Sequence, residues 1–310
     1  MQPTIRNSFA ATVSQSDYDE LFLAKSEWEE RMGPEVDTPI LTSQQVAWDI
    51  PICKKSLDHL ISRADTQKDR ARLLACNSEH ASDWLNPLPI PSLGLKLDNS
   101  QVRIACALRL GSPMCHPHTC TCGTEVNHRG THGLSCKKSS GRFPRHAQVN
   151  DIIKRALHSA NFPAVIEPTG VSRTDGKRPD GMTIFPWKKG RFLVWDYTCS
   201  DTLAPSHLPI SSVNPGKMAE NAESAKLKKY SNMEEAYSVI PICVETMGPW
   251  GQNGLGFIKE LGNKIKNVTK EPKSTAYLCQ AISVAIQRGN AASILGTVPP
   301  TKNLEEIYNL

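Results

Sequence analysis

Residues 113–142 are rich in Cys, His and Gly and poor in aliphatic side chains, so this stretch cannot close around an ordinary apolar core. Something else must hold it. Cys120, Cys122, His132 and Cys136 place three thiols and an imidazole within seventeen residues, the donor set that a closed tetrahedral zinc site prefers. Gly123, Gly130 and Gly133 suit the tight turns between such ligands. Cys115, His116, His118 and His128 are spare donors close by, and the competing reading is a loop of buried thiols and surface histidines. Three thiolates would leave a metal with little Lewis acidity, which points to structural rather than catalytic zinc.

The flanking chain has the balance of a globular protein, with 39% hydrophobic and 22% charged residues. No apolar run approaches the roughly 18 to 20 residues needed to span a bilayer. Met1–Ala10 shows no basic segment followed by an apolar one, so no secretory leader is expected. A reducing compartment then follows, with the ten cysteines free, buried or metal-bound. Charge is unevenly spread. Residues 1–99 hold ten Lys/Arg against fifteen Asp/Glu, whereas 103–155 hold nine against two, plus five histidines. A basic zone of this kind suits a polyanion, although a solvated basic face has the same composition.

Periodicity divides the chain further. The first forty residues read as a partly helical lead-in, and Gln44–Cys76 as helices with Leu57, Leu60, Ile61 and Ala64 on one stripe. Three prolines between Trp84 and Pro91 mark a linker or docking segment. A helix over Asn99–Leu110 ends at Gly111. Beyond the Cys/His stretch come a helix at Arg145–Ala160, strands at Ala164–Ile166, Gly181–Trp187 and Arg191–Cys199, a helix at Met218–Tyr237 and a strand at Ser238–Glu245. Helices at Leu255–Val268 and Ser274–Leu295 close the region, and the tail after Thr297 reads as loose. The expected division is a helical segment (1–99), a zinc knuckle (100–142), an α/β domain with a mixed four-stranded sheet (143–297) and a tail (298–310).

The second cluster of chemistry is acidic. With Lys188-Lys189-Gly190 as the turn, Met182 pairs with Asp196 and Asp180 with Thr198, so Asp180 and Asp196 become diagonal neighbours on one sheet face. Asp196 follows the buried run Phe192–Trp195, where a carboxylate needs a metal, a cation or a proton beside it. Two such groups can clamp Mg²⁺ or Mn²⁺ for phosphodiester hydrolysis, with Glu167 as a third carboxylate. Taken separately, Asp180 is equally a turn residue and Asp196 a strand-end ion pair.

The succession Cys120, Cys122, His132, Cys136, Arg145-His146, Glu167-Pro168, Arg178-Pro179-Asp180 and Asp196 resembles the C-terminal end of non-LTR retrotransposon proteins. Those proteins carry a zinc knuckle followed by a restriction-enzyme-like endonuclease of the PD-(D/E)xK class. The resemblance covers about residues 82–295, and Ser82–Leu85 and Leu108–Gly111 look like the segment that joins the reverse transcriptase to the knuckle. It implies a restriction-endonuclease-like fold, DNA bound by the knuckle, one strand nicked to prime reverse transcription, and a nuclear location. An RNA template becomes a possible second partner. Lys137, Lys138, Arg145, His146 and Arg178 are the expected nucleic-acid contacts, although His146 serves equally well as a packed helix histidine.

Two departures stand out. The lysine usually found two residues after the second acid is replaced by Thr198, and nothing resembles the reverse-transcriptase palm. A lysine on the next helix can substitute: Ala219, Ala222, Lys226, Tyr230, Met233 and Tyr237 share a stripe on which Lys226 is the cation, while Lys228 and Lys229 are expected to face solvent or phosphate. A remnant that binds nucleic acid without cutting it is the alternative, and a zinc-stabilised interaction module with an acidic N-terminal docking surface is a third.

Overall fold

The computed structural model describes residues 15–40, 43–171, 178–233, 236–300 and 302–308. The chain divides into two compact units, Met1–Ala64 and Asp65–Leu310. The first contains α1 (Gln15–Met32) and α2 (Gln45–Ser62). Its Trp28 and Trp48 rings meet edge to face at 5.3 Å, and the Trp28 indole N–H donates to Trp48 O (3.1 Å). The expected Leu57–Ile61 core stripe is not buried, because α2 has no buried residue and Leu60 is exposed. The reading of Met1–Ala10 falls outside the described residues.

In the second unit, α3 (Gln67–Cys76) starts at Thr66, whose hydroxyl accepts the Asp69 N–H. Helix α4 (Asn99–Leu110) matches its expected bounds because both ends are chemically marked. Asp98 and Gln101 form a reciprocal capping box, and Gly111 ends the helix at φ 72°. Between them the proline-rich stretch docks rather than links, burying Trp84 against Ala105 and Val284.

The Cys/His stretch forms a small ribbon, β1 (His118–Thr119) with β2 (Glu125–Val126), and a single helical turn α5 (His132–Ser135). Then come α6 (Arg142–Ser159), β3 (Ala164–Ile166), β4 (Gly181–Lys188), β5 (Arg191–Ser200), α7 (Leu208–Ser211), α8 (Lys217–Tyr230), β6 (Tyr237–Glu245), α9 (Gln252–Thr269), α10 (Ser274–Leu295) and α11 (Leu304–Ile307). The sheet order is β3-β4-β5-β6, antiparallel except for the parallel β5–β6 pair. The molecule is therefore mixed α/β with a mixed four-stranded sheet. The helix expected to run to Tyr237 stops at Tyr230, and Tyr237 opens β6 instead.

Strand β5 is covered on both faces. Leu193, Trp195 and Tyr197 enter a core with Val149 and Ile153 of α6 and Ile258 and Leu261 of α9, while Asp196 points the other way, toward α8. A second core joins Ala71, Ile104, Cys120, Leu134, Cys136, Ile294 and Tyr308. The knuckle thus shares its interior with α3, α4 and α10, and the expected boundaries at 99 and 142 do not separate compact bodies. The tail is not loose at its described end: Tyr308 is fully buried, bridges to Cys115, and donates its hydroxyl to Ile294 O (2.6 Å). Among the described residues no helix is long and apolar enough to cross a membrane.

Candidate functional site

Cys120, Cys122, His132 and Cys136 converge so that their ligand atoms all lie within 4.8 Å of one another. The Cys120 and Cys136 sulfurs are 3.8 Å apart, about the edge of a tetrahedron with metal–sulfur bonds of about 2.3 Å and far too long for a disulfide. His132 presents Nε2 to Cys122 Sγ at 3.2 Å. A tight turn brings the first two cysteines together: Gly123, at φ 91°, donates to Cys120 O (2.7 Å). Hydrogen bonds from Thr124 hold the Cys122 thiol down at about 6, so it enters as the thiolate that metals require. Burial pushes Cys136 up to about 11 against a lowering hydrogen bond from the Lys138 backbone, and a cation beside it would favour its thiolate. This cluster can hold a metal such as zinc.

Two of the spare donors, His118 and Cys115, are engaged elsewhere. His118 uses Nδ1 on His116 O and Nε2 on Thr297 Oγ1, both at 2.9 Å. The Cys115 thiol, pushed up to about 11 by burial, faces the carbonyls of Asn127 and His128. His116 and His128 are exposed.

The two aspartates stand on neighbouring strands, though in a register different from the expected one. Lys189 and Gly190, at φ 48° and 75°, make a two-residue turn, and Lys188 pairs with Arg191. Irregularities on either side of Pro186 then shift the ladder to Met182↔Val194 and Gly181↔Trp195. One step further on, Asp180 stands across from Asp196 instead of Thr198. Its N–H donates to Trp195 O (3.0 Å), and its Oδ2 accepts the Tyr197 N–H (2.6 Å). A side chain at Gly181 would strike the Trp195 ring, so glycine lets the strands cross here.

His146, on α6, brings Nε2 to 3.0 Å from Asp180 Oδ2. The Asp180 hydrogen bond raises its pKa against the opposing effect of burial, with the charges of Asp180 and Asp196 adding to the rise and Lys226 subtracting. Asn150 orients the ring. Its Oδ1 accepts the Trp195 indole N–H (2.9 Å), which leaves its amide nitrogen to face His146 Nδ1 (3.2 Å). Nε2 is therefore the ring's donor toward Asp180.

Asp196 is compensated by α8. Lys226 contacts Oδ1, while Lys229 Nζ (3.2 Å) and the Tyr230 hydroxyl (2.7 Å) donate to Oδ2. Burial pushes the Asp196 carboxyl upward, but Lys226, Tyr230 and Lys229 outweigh it and hold the group below the usual carboxylate range. The expected lysine is thus where α8 was read to put it. Lys228 is exposed as expected, but Lys229 turns inward, and Tyr230 was noticed only as a member of the stripe. Its place four residues after Lys226 on that stripe was the signal available, since a buried Tyr O–H needs an acceptor.

Three other expectations change. Glu167 sits in the left-handed region at φ 47° with its N–H on Asp180 O (2.8 Å), but its exposed carboxylate lies toward Arg178 (3.7 Å), with no contact to the aspartate pair among the described residues. Arg145 is buried and donates to Asn290 Oδ1 (2.7 Å), packed where only Gly289 leaves room, so it is not presented to a polyanion. His146 serves the aspartate rather than standing free for phosphate. Lys137, Lys138 and Arg178 are exposed.

A scan against known protein families and a search of curated proteins each return no match to this chain.

Proposed function

We propose that the chain is a metal-dependent DNA endonuclease that nicks one strand, with a restriction-endonuclease-like domain and a zinc knuckle that helps hold DNA, as in non-LTR retrotransposon proteins. The observation that carries this reading is the convergence of Asp180, Asp196, Lys226 and His146 on one side of a hairpin. The donor set fits a hard divalent cation: carboxylate oxygens from adjacent strands, with the described contacts of Asp180 confined to Oδ2. Bound Mg²⁺ or Mn²⁺ would supply charge stabilisation at the scissile phosphate and a more acidic water. Lys226 is placed to orient that water or neutralise developing charge, the task the usual strand lysine performs and Thr198 cannot. Tyr230 and Lys229 keep Asp196 ionised. Lys137, Lys138 and Arg178 contribute backbone charge contacts with DNA, and a nuclear site of action follows from that substrate. RNA of a parent element is a second polyanion for the same face.

A binding protein without cleavage is the second reading. It is favoured by Asp196 being neutralised by two lysines with no metal needed for its charge. Nicking of supercoiled plasmid in Mg²⁺ or Mn²⁺ separates the two. Wild type should relax the plasmid, and Asp180→Asn and Asp196→Asn should each lose at least about 100-fold in rate. Retention of DNA by the wild type with no relaxation in either metal rules out the nuclease.

A further inference from the structure

We propose that His80, Asp83 and Cys279 form a second metal site, structural in kind, that takes zinc. One ring nitrogen of His80, a carboxylate oxygen of Asp83 and the Cys279 sulfur all lie within 4.8 Å of one another. Imidazole, carboxylate and thiolate are a borderline-soft set, which selects zinc over magnesium or calcium. The proposal is independent of the nuclease reading, since none of these residues touches Asp180 or Asp196.

His80 is held in an unusual way. It is not glycine yet has φ 66°, a left-handed conformation that the surrounding structure must impose. Its Nδ1 lies 2.8 Å from Asp83 Oδ2. Its Nε2 is out of water and lies 3.1 Å from Glu79 Oε1, an ion-pair contact on the opposite edge of the ring. With Nε2 turned toward Glu79, Nδ1 is the ring nitrogen that faces Asp83, and Glu79 fixes the orientation of the ring, as an outer-shell carboxylate does for a metal-bound histidine. Cys279 presents its thiol from α10, on a side chain only 1% exposed. Glu79 pairs with Lys259 (2.9 Å) and with His80 Nε2, outside the three-donor cluster.

The 2.8 Å contact between His80 and Asp83 is shorter than the roughly 3.3 Å expected between two ligands of one zinc, and it holds a proton. Zinc entry expels that proton and the Cys279 thiol proton, so two protons leave as one cation enters. The bound metal would tie the loop after α3 to α10 and close about two hundred residues of chain. The same loop buries Trp84 against Val284 of α10, so the tie acts where the docking already occurs.

Zinc content of the purified full-length chain is the test. The expected result is two equivalents in the wild type, one in Cys279→Ser and one in His80→Gln. A Cys120→Ser/Cys136→Ser variant should retain one equivalent that is lost on adding Cys279→Ser. A wild type holding a single equivalent, unchanged by Cys279→Ser and His80→Gln, overturns the site and leaves His80 as an imidazolium between Glu79 and Asp83. Should the variants fail to fold, Co²⁺ titration of the metal-free wild type decides. Thiolate-to-cobalt absorption that grows through a second equivalent supports the site, and saturation at one equivalent overturns it.

Discussion

Asp196 keeps its charge inside the protein because three donors from a single helix reach it, and each can be removed separately. Tyr230→Phe deletes the hydroxyl that donates to Asp196 and accepts from Lys229 and leaves the packing intact, so it should cost about 1 to 2 kcal/mol of stability in urea unfolding. Under the nuclease reading the same change should slow plasmid nicking by roughly tenfold, because Asp196 loses part of what keeps it ionised; an unchanged rate would show that the two lysines suffice. Asp69 gives a second test. Burial pushes its carboxyl up, but Thr66 and Arg129 outweigh burial and hold it below its ordinary value. A carboxylate depressed on folding stabilises above its unfolded pKa of about 3.9 and loses that contribution as pH falls through the folded value. Asp69→Asn should therefore cost about 1 kcal/mol near neutrality, with the deficit fading below about pH 4 in urea melts of the two proteins. At this scale much of the site was legible: a Pro-Asp before one strand and an Asp at the end of a buried run are chemically conspicuous. Lys229 was not, because stripe reasoning assigns an inward direction by Cα position, whereas a lysine's four-carbon stem bends round the helix. Arg145 misled for the same reason in reverse, its charge being readable but its burial under α10 depending on Gly289, more than a hundred residues away.

Secondary structure was most legible where an end is chemically marked. The Asp98/Gln101 box and Gly111 fix α4 at both ends. The hairpin shows the opposite case. Pro186 has no N–H to give the ladder, and the Thr183 hydroxyl accepts the Leu193 N–H (3.0 Å) in place of a backbone carbonyl. Side chains thus set the register here, and counting back from a turn cannot detect that. The corrected register makes Gly181 critical: Gly181→Ala should clash with Trp195, displace Asp180, and lower both stability and nicking by more than the neighbouring exposed Ile184→Ala, measured side by side. Helix α6 offers a prediction at its other end. Phe143 is 83% exposed, one turn before His146 on the same face. Under the nuclease reading it stacks on a base, so Phe143→Ala should weaken binding of an oligonucleotide about tenfold while leaving the melting temperature unchanged.

Across the whole molecule the knuckle is not an appendage. Its cysteines share a core with α3, α4, α10 and Tyr308, so zinc removal should loosen the body that carries the aspartates. A strong chelator is expected to lower the melting temperature of the full chain by about 10 °C or more, restored by zinc; a shift of under about 2 °C would mean the apolar contacts suffice without metal. This sharing was invisible in the sequence because the stretch is defined by what it lacks, and the residues that complete its interior come from both ends of residues 65–310. The +5 net charge gave no clue to it either, since charge reports on the surface.

The parallel pairing of β5 with β6 fixes the order in which the parts can arrive. A β-hairpin such as β4–β5 can close in microseconds, whereas β6 can join only after residues 201–236 have looped back over the sheet. That returning segment is what delivers Lys226, Lys229 and Tyr230. Until that segment returns, Asp196 has none of these three donors beside it. A chain ending before α8 would leave a hairpin whose own acid opposes burial, so the sheet and the helix that neutralises it are stable only together.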